Sequence, residues 1–154
     1  MKKELNIVII GAALWCAGVI VAPLLSGTLL SETLYRIYSV VCHQFESRSF
    51  HLHGEPLAVC IRCSSIYFVF LMTLIMLQIF TSLRDKKLNT ILLLFLTAVP
   101  MAVDGSLSIF GLYHASDISR IATGSLFGIG MALLLHRSLA GTVRSLFSTK
   151  NPIL

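Results

Sequence analysis

Three cysteines and three histidines stand in one short stretch of the chain, "CHQFESRSFHLHGEPLAVCIRC", and their types and spacing suit a bound metal. Cys60 and Cys63 are related as i and i+3, so at the head of a helix both thiols lie on one face and can share a tetrahedral ion. Cys42 comes before them by a loop long enough to fold back. His43, His51 and His53 are the candidates for a fourth ligand. Three cysteines and a histidine form a recognised closed zinc set. Thiolate with imidazole is a borderline-soft mixture, so zinc is expected and iron is the lesser alternative. The same C-x-x-C also has a redox reading, in which Cys60 and Cys63 cycle as a disulfide, Cys42 exchanges with them and electrons pass to a membrane quinone. A static staple, disulfide or zinc without turnover, is the plainest reading.

The elements that must position these residues are apolar. Of 154 residues, 56% are hydrophobic and only 12% are charged, which is too apolar for a water-facing surface of ordinary polarity. Crossing the hydrocarbon core takes about 20 mainly apolar residues as a helix. Four stretches qualify, approximately residues 5–30, 58–82, 88–110 and 120–139. The fold expected is an all-α membrane protein, four transmembrane helices in one integral membrane domain over 1–154, with an outward-facing amphipathic helix and a metal-binding loop. The first stretch is far longer than the apolar core of a signal peptide and is read as a retained span. Cys16 within it reads as a buried apolar side chain.

Basic residues set the expected orientation. Lys2 and Lys3, the loop residues Arg84, Lys86 and Lys87, and Arg137, Arg144 and Lys150 fall on one side of a four-span chain. By the positive-inside rule that side is cytoplasmic, so both termini point inward and the cysteine loop outward. The expected location is the cytoplasmic membrane of a bacterium or archaeon. The formal net charge of +5 is absorbed by this topology and by anionic lipid, and membrane lipid, not nucleic acid, is the expected partner. Between the first two spans, Ser31 can cap a helix with Glu32 in its first turn, and Leu34, Ile37, Tyr38 and Val41 follow at helical spacing.

Other polar groups fall near the same end. A carboxylate at membrane depth costs about 2.5–3.5 kcal/mol on insertion scales, so Asp104 in the third span needs a partner, and Arg62 and Arg120 are the candidates. Arg120 and Asp117 could instead pair one turn apart. Arg120, Thr123 and Gly124 share a helix face. His114 in the last loop and His136 in the fourth span carry little functional weight. Gly124, Gly128 and Gly130 suit close helix packing or a homo-dimer contact. Pro23 and Pro100 are expected to bend their helices.

The motifs "CHQ", "RSF", "CIRC", "DG" and "RIATG" together resemble a widespread family of small integral membrane proteins of unknown function, carrying a CHQ…RSF…CxRC…DG…RxxTG signature. The resemblance covers Tyr38 to about Gly130 and implies which positions matter. These are Cys42, His43, Gln44, Arg48, Ser49, His51, Cys60, Arg62, Cys63, Tyr67, Asp104, Gly105, Arg120, Thr123 and Gly124. Ser64 and Ser65 depart from the threonine and glycine usual after the second cysteine of the pair.

The functional expectation is a metal-binding membrane protein, acting as a metal-dependent enzyme on an anionic, lipid-like or amphiphilic substrate. Its ligands come from Cys42, His43, His51, Cys60 and Cys63. Asp104, Arg62, Arg120 and Thr123 line the reacting cavity, and Gln44, Arg48, Ser49 and Tyr67 contact substrate. Arginines beside a metal suit a phosphate or carboxylate. A small metal or ion transporter, completed by dimerisation, is the further alternative.

Overall fold

The computed structural model describes residues 2–79, 89–110 and 115–148, with the side chains of Lys2, Thr90 and 140–148 outside the description. The basic loop residues Arg84, Lys86 and Lys87, together with His114, Lys150 and the Arg144 side chain, therefore lie outside the described residues. Five helices follow in chain order: α1 Lys2–Leu24, α2 Leu29–Ser39, α3 Ile61–Ile79, α4 Thr90–Ile109 and α5 Asp117–Ser148. Four of them, α1, α3, α4 and α5, are long and apolar enough to cross a membrane. Their surfaces carry Ile7, Leu14, Met72, Phe95 and Leu96 well exposed, side chains that only a lipid environment covers without penalty.

Helix bounds differ from the hydropathy reading where backbone chemistry intervenes. The first apolar stretch does not continue to Leu30; α1 ends at Leu24, and a turn through Gly27, at φ +81°, redirects the chain into α2. Thr28, not Ser31, caps α2, its hydroxyl accepting from Ser31 N–H at 3.2 Å. Ser31 is instead buried and donates to the Ala22 carbonyl at 2.7 Å, meeting an acceptor that the helix end leaves without its usual partner, since Ser26 N–H turns to Pro23 O. The apolar residues of α2 divide between two directions. Tyr38 is buried against α1, with Leu34 and Tyr35 beside it, whereas Ile37, Val40 and Val41 are exposed. α4 starts after Asn89, whose side chain accepts from Ile91 N–H at 3.0 Å. Pro23 and Pro100 both sit inside their helices.

The spans pack as a row, α1 on α3, α3 on α5 and α5 on α4, with α3 and α5 the most extensive pair. Near the heads of α3 and α5, a Cβ on Gly124 would stand 2.7 Å from the Arg62 carbonyl, and one turn on a Cβ on Gly128 would stand 2.7 Å from the Ile66 carbonyl. The two helices therefore run parallel. Gly124, Gly128 and the fully buried Ala132 repeat every four residues, the small-residue stripe that lets membrane helices approach backbone to backbone. The expected packing role of the glycines is met within the chain. α1 and α4 flank the pair in the antiparallel sense, as Gln78 Nε2 to Asn6 Oδ1 at 2.7 Å and the Gly130–Thr97 contact require.

Candidate metal and anion site

One end of the row gathers the end of α2, the heads of α3 and α5, and the last turns of α4. The connection from α2 to α3 is shaped by a left-handed residue, Gln44, and a hairpin. Gln44 has φ +51°, and its amide nitrogen donates to Tyr35 O at 2.8 Å and Ala58 O at 2.7 Å, tying the loop after Cys42 to the loop before Cys60. β1 (His51–Leu52) and β2 (Glu55–Pro56) pair antiparallel around His53 and Gly54, both at positive φ as a two-residue type I′ turn demands. The Tyr35 hydroxyl donates to the Pro56 carbonyl, and the Tyr38 hydroxyl to Trp15 O at 2.7 Å, fixing the hairpin and α2 to the bundle.

These constraints bring the Cys42, Cys60 and Cys63 sulfurs within 4.8 Å of one another. The Cys60 amide donates to Cys42 Sγ at 3.2 Å, the kind of N–H to sulfur bond that favours a thiolate. Hydrogen bonding to the Cys60 thiol first, and to Cys63 next, holds the Cys42 thiol far below its ordinary range against the opposing effect of its burial. Cys60 stands at the head of α3, where its carbonyl accepts from Ser64 N–H at 2.9 Å, so negative charge on the cluster meets the positive end of the helix dipole. No disulfide joins the four cysteines, and Cys16 is buried in α1, apart from the cluster.

A cavity of about 490 Å³ is lined by the three cysteines, and its wall carries His43, Gln44, Arg48, Arg62 and Arg120 as well. Of the expected metal ligands, neither His43 nor His51 joins the three thiols among the described residues. His43 is exposed and stacks on Phe45, its ring centroid 6.0 Å away, and His51 lies exposed in β1, held by the hairpin register.

Asp104 does not line this cavity among the described residues. It lies behind Arg62, 8% exposed, with one oxygen ion-paired to the Arg62 guanidinium and the other accepting from the Ser119 hydroxyl. The outer side of this group borders an open apolar groove formed with Val99, Val103 and Leu107. Arg62, not Arg120, is the partner of Asp104. Arg120 pairs with Asp117 at 3.1 Å one turn away, a carboxylate that is 62% exposed. Thr123, expected in the cavity, donates to Ser119 O at 2.8 Å within its own helix.

The residues expected to contact substrate also divide. Gln44 reaches the cavity wall, but its amide nitrogen is already bonded to two carbonyls. Ser49 is buried, with its hydroxyl on Phe45 O at 3.0 Å. Tyr67 sits edge-on to Trp15 at 5.9 Å and builds the aromatic wall behind the thiols. Arg48 does reach the cavity, its guanidinium 5.2 Å from the Phe45 ring centre. Sequence reasoning missed Ser119, for which the only signal was that a carboxylate at depth needs both oxygens met. It also missed Trp15, whose ring packs edge-on to both Tyr38 and Tyr67.

Four apolar spans with a hydrogen-bonded polar cap at one end define a small polytopic membrane protein. The chain belongs to the family described as predicted membrane protein DUF2085, whose profile matches residues 42–134, a range that begins at Cys42 and takes in the whole cluster. An uncharacterized protein of Methanocaldococcus jannaschii is 33% identical over 136 residues, covering 83% of this chain and 87% of the relative. An uncharacterized protein of Methanothermobacter thermautotrophicus is 29% identical over 100 residues, covering 63% of this chain and 86% of the relative. No solved structure matches the chain.

Proposed function

We propose that this protein binds zinc through Cys42, Cys60 and Cys63 at the outer face of the cytoplasmic membrane, and that the adjoining cavity serves an enzyme of anionic, lipid-like substrates. The observation that carries the reading is the convergence of three sulfurs within 4.8 Å from two separate stretches of chain. A chance cluster of free thiols would not need the Gln44 clamp, the left-handed turn and the amide bond to Cys42 Sγ that together hold this one. Three thiolates suit zinc, with iron second. A zinc ion there supplies a Lewis acid at the cavity wall. The chain's own part is to place Arg48, Arg62 and Arg120 where they meet an anion, with Arg62 oriented from behind by Asp104 and Ser119. The outward orientation rests on the distribution of lysine and arginine along the chain.

Disulfide exchange is the second reading, and the favoured thiolate at Cys42 beside two further thiols supports it. Elemental analysis of detergent-purified protein with thiol titration decides between the two. Close to one zinc per chain, with Cys42, Cys60 and Cys63 titrating as reduced only after denaturation and chelation, is the expected result. A metal-free protein with a Cys60–Cys63 disulfide that exchanges with quinone would replace it. Orientation is tested separately by membrane-impermeant maleimide on intact cells after chelation and reduction; labelling only after permeabilisation would reverse it.

A further inference from the structure

Resting on the metal reading, we infer that the fourth coordination position faces the arginine-lined cavity and takes a tetrahedral oxyanion, a phosphate group, from outside the chain. Among the described residues no histidine, carboxylate or fourth cysteine joins the three sulfurs, while all three cysteines line the cavity. Three protein ligands with one position open to a cavity is the arrangement of a site that receives an external ligand.

Guanidinium donors favour an anion there. Three thiolates exceed a divalent ion by one negative charge and Asp104 and Asp117 add one each, which Arg48, Arg62 and Arg120 balance at the same wall. Arg48 pairs with no carboxylate among the described residues, and the Asp117 partner of Arg120 is largely solvated, so that pair is weak. Arg62 uses Nη2 on Asp104, and its Nε is buried with no hydrogen-bond partner. The heads of α3 and α5 both point their dipoles toward this end. A carboxylate has too few oxygens to meet a metal and more than one guanidinium fork at once, whereas a phosphate can reach the metal and two forks.

The same phosphate could arrive free in water or as a lipid headgroup. α2 begins only a short turn after the end of a membrane span, and the cavity wall includes Val41, Phe45 and Ile109, each exposed and apolar. A headgroup in the cavity would leave its chains against those residues.

The test uses detergent-solubilised full-length protein loaded with cobalt in place of zinc. Sulfur-to-cobalt charge-transfer absorption reports the three thiolates, and the visible ligand-field bands report the fourth position. Inorganic phosphate is expected to shift the ligand-field bands with saturation, and Arg48→Gln and Arg120→Gln to weaken that response by about tenfold each, without loss of cobalt. A short-chain phosphatidate binding more tightly than inorganic phosphate would assign the source to lipid; equal binding would assign it to free phosphate. Intact charge transfer with ligand-field bands that phosphate does not move, or that move in both variants as far and at the same phosphate concentration as in the wild type, overturns this inference and leaves the metal reading standing. Absence of the charge-transfer absorption removes the metal reading and this inference with it.

Discussion

The two ends of the helix row are built by different physics. At the thiolate end the contacts are directional: Gln44 on two carbonyls, Tyr35 on Pro56, the Cys60 amide on Cys42, and the Arg62–Asp104–Ser119 group joining α3, α4 and α5. At the other end the described contacts are mainly apolar, with Leu5, Leu74 and Ala132 forming the buried cluster and Gln78–Asn6 an exposed hydrogen bond beside it. Lipid is as apolar as leucine, so burial alone gives helices no strong reason to associate, and close approach of small residues does that work along the row. Orientation at ångström precision needs hydrogen bonds and charge, and these are concentrated where three sulfurs have to meet. The scaffold can tolerate looseness; the cap cannot.

The sharpest way to break the contrast is to remove a sulfur. Cys60→Ser or Cys63→Ser should abolish stoichiometric zinc and lower the detergent unfolding midpoint by more than about 10 °C, because ligand binding on the order of 10 kcal/mol is also folding energy. Cys16→Ser, in α1 away from the cluster, should leave the metal content unchanged. Elemental analysis and thermal unfolding on the same samples check both.

Next in size is the buried pair. Arg62→Gln or Asp104→Asn strands a charge and should cost about 3–5 kcal/mol, with the double variant recovering much of the loss. Arg120→Gln, whose partner Asp117 is mostly solvated, should cost less than about 1 kcal/mol. Additive losses in the unfolding cycle for Arg62 and Asp104 would show that they act independently and would dissolve the polar cap as a unit.

A smaller effect separates the two ends along one interface. Gly124→Ala and Gly128→Ala each put a Cβ 2.7 Å from a carbonyl of α3 and should cost about 1–3 kcal/mol through forced separation of the helices. Gly124 presses on Arg62, which lies between the two cysteines, so only Gly124→Ala should also weaken metal retention against a chelator. Equal metal loss in both variants would mean that the whole helix pair, not its head, sets the site. Smallest of all, Gly11→Ala meets nothing within 4 Å and should stabilise α1 by about 0.5–1 kcal/mol.

Much of the molecule was legible in the chain because hydropathy is additive along it. Four spans, an extra helix before the second and a cysteine pair at a helix head all follow from local residue types. Asp104 at membrane depth announced that it needed a partner before any partner was known. Pairing was not legible in the same way. Whether Arg62 or Arg120 meets Asp104 depends on how α3 and α5 are turned about their axes, and the contact of Gly124 with the Arg62 carbonyl sets that rotation.

The sequence by itself therefore determined the membrane class, the number of spans and the end of the molecule at which the polar chemistry collects, since each depends on composition within a window or on spacing within one element. Only the tertiary structure decided that α3 and α5 pack side by side, that Asp104 lies behind Arg62 and out of the cavity, and that His43 and His51 do not join the sulfurs. Those outcomes depend on contacts between residues far apart in the chain. A positive-φ residue at Gln44 and a hairpin aim the histidines, and the angle at which a short loop leaves its helix is invisible to a count of ligand types.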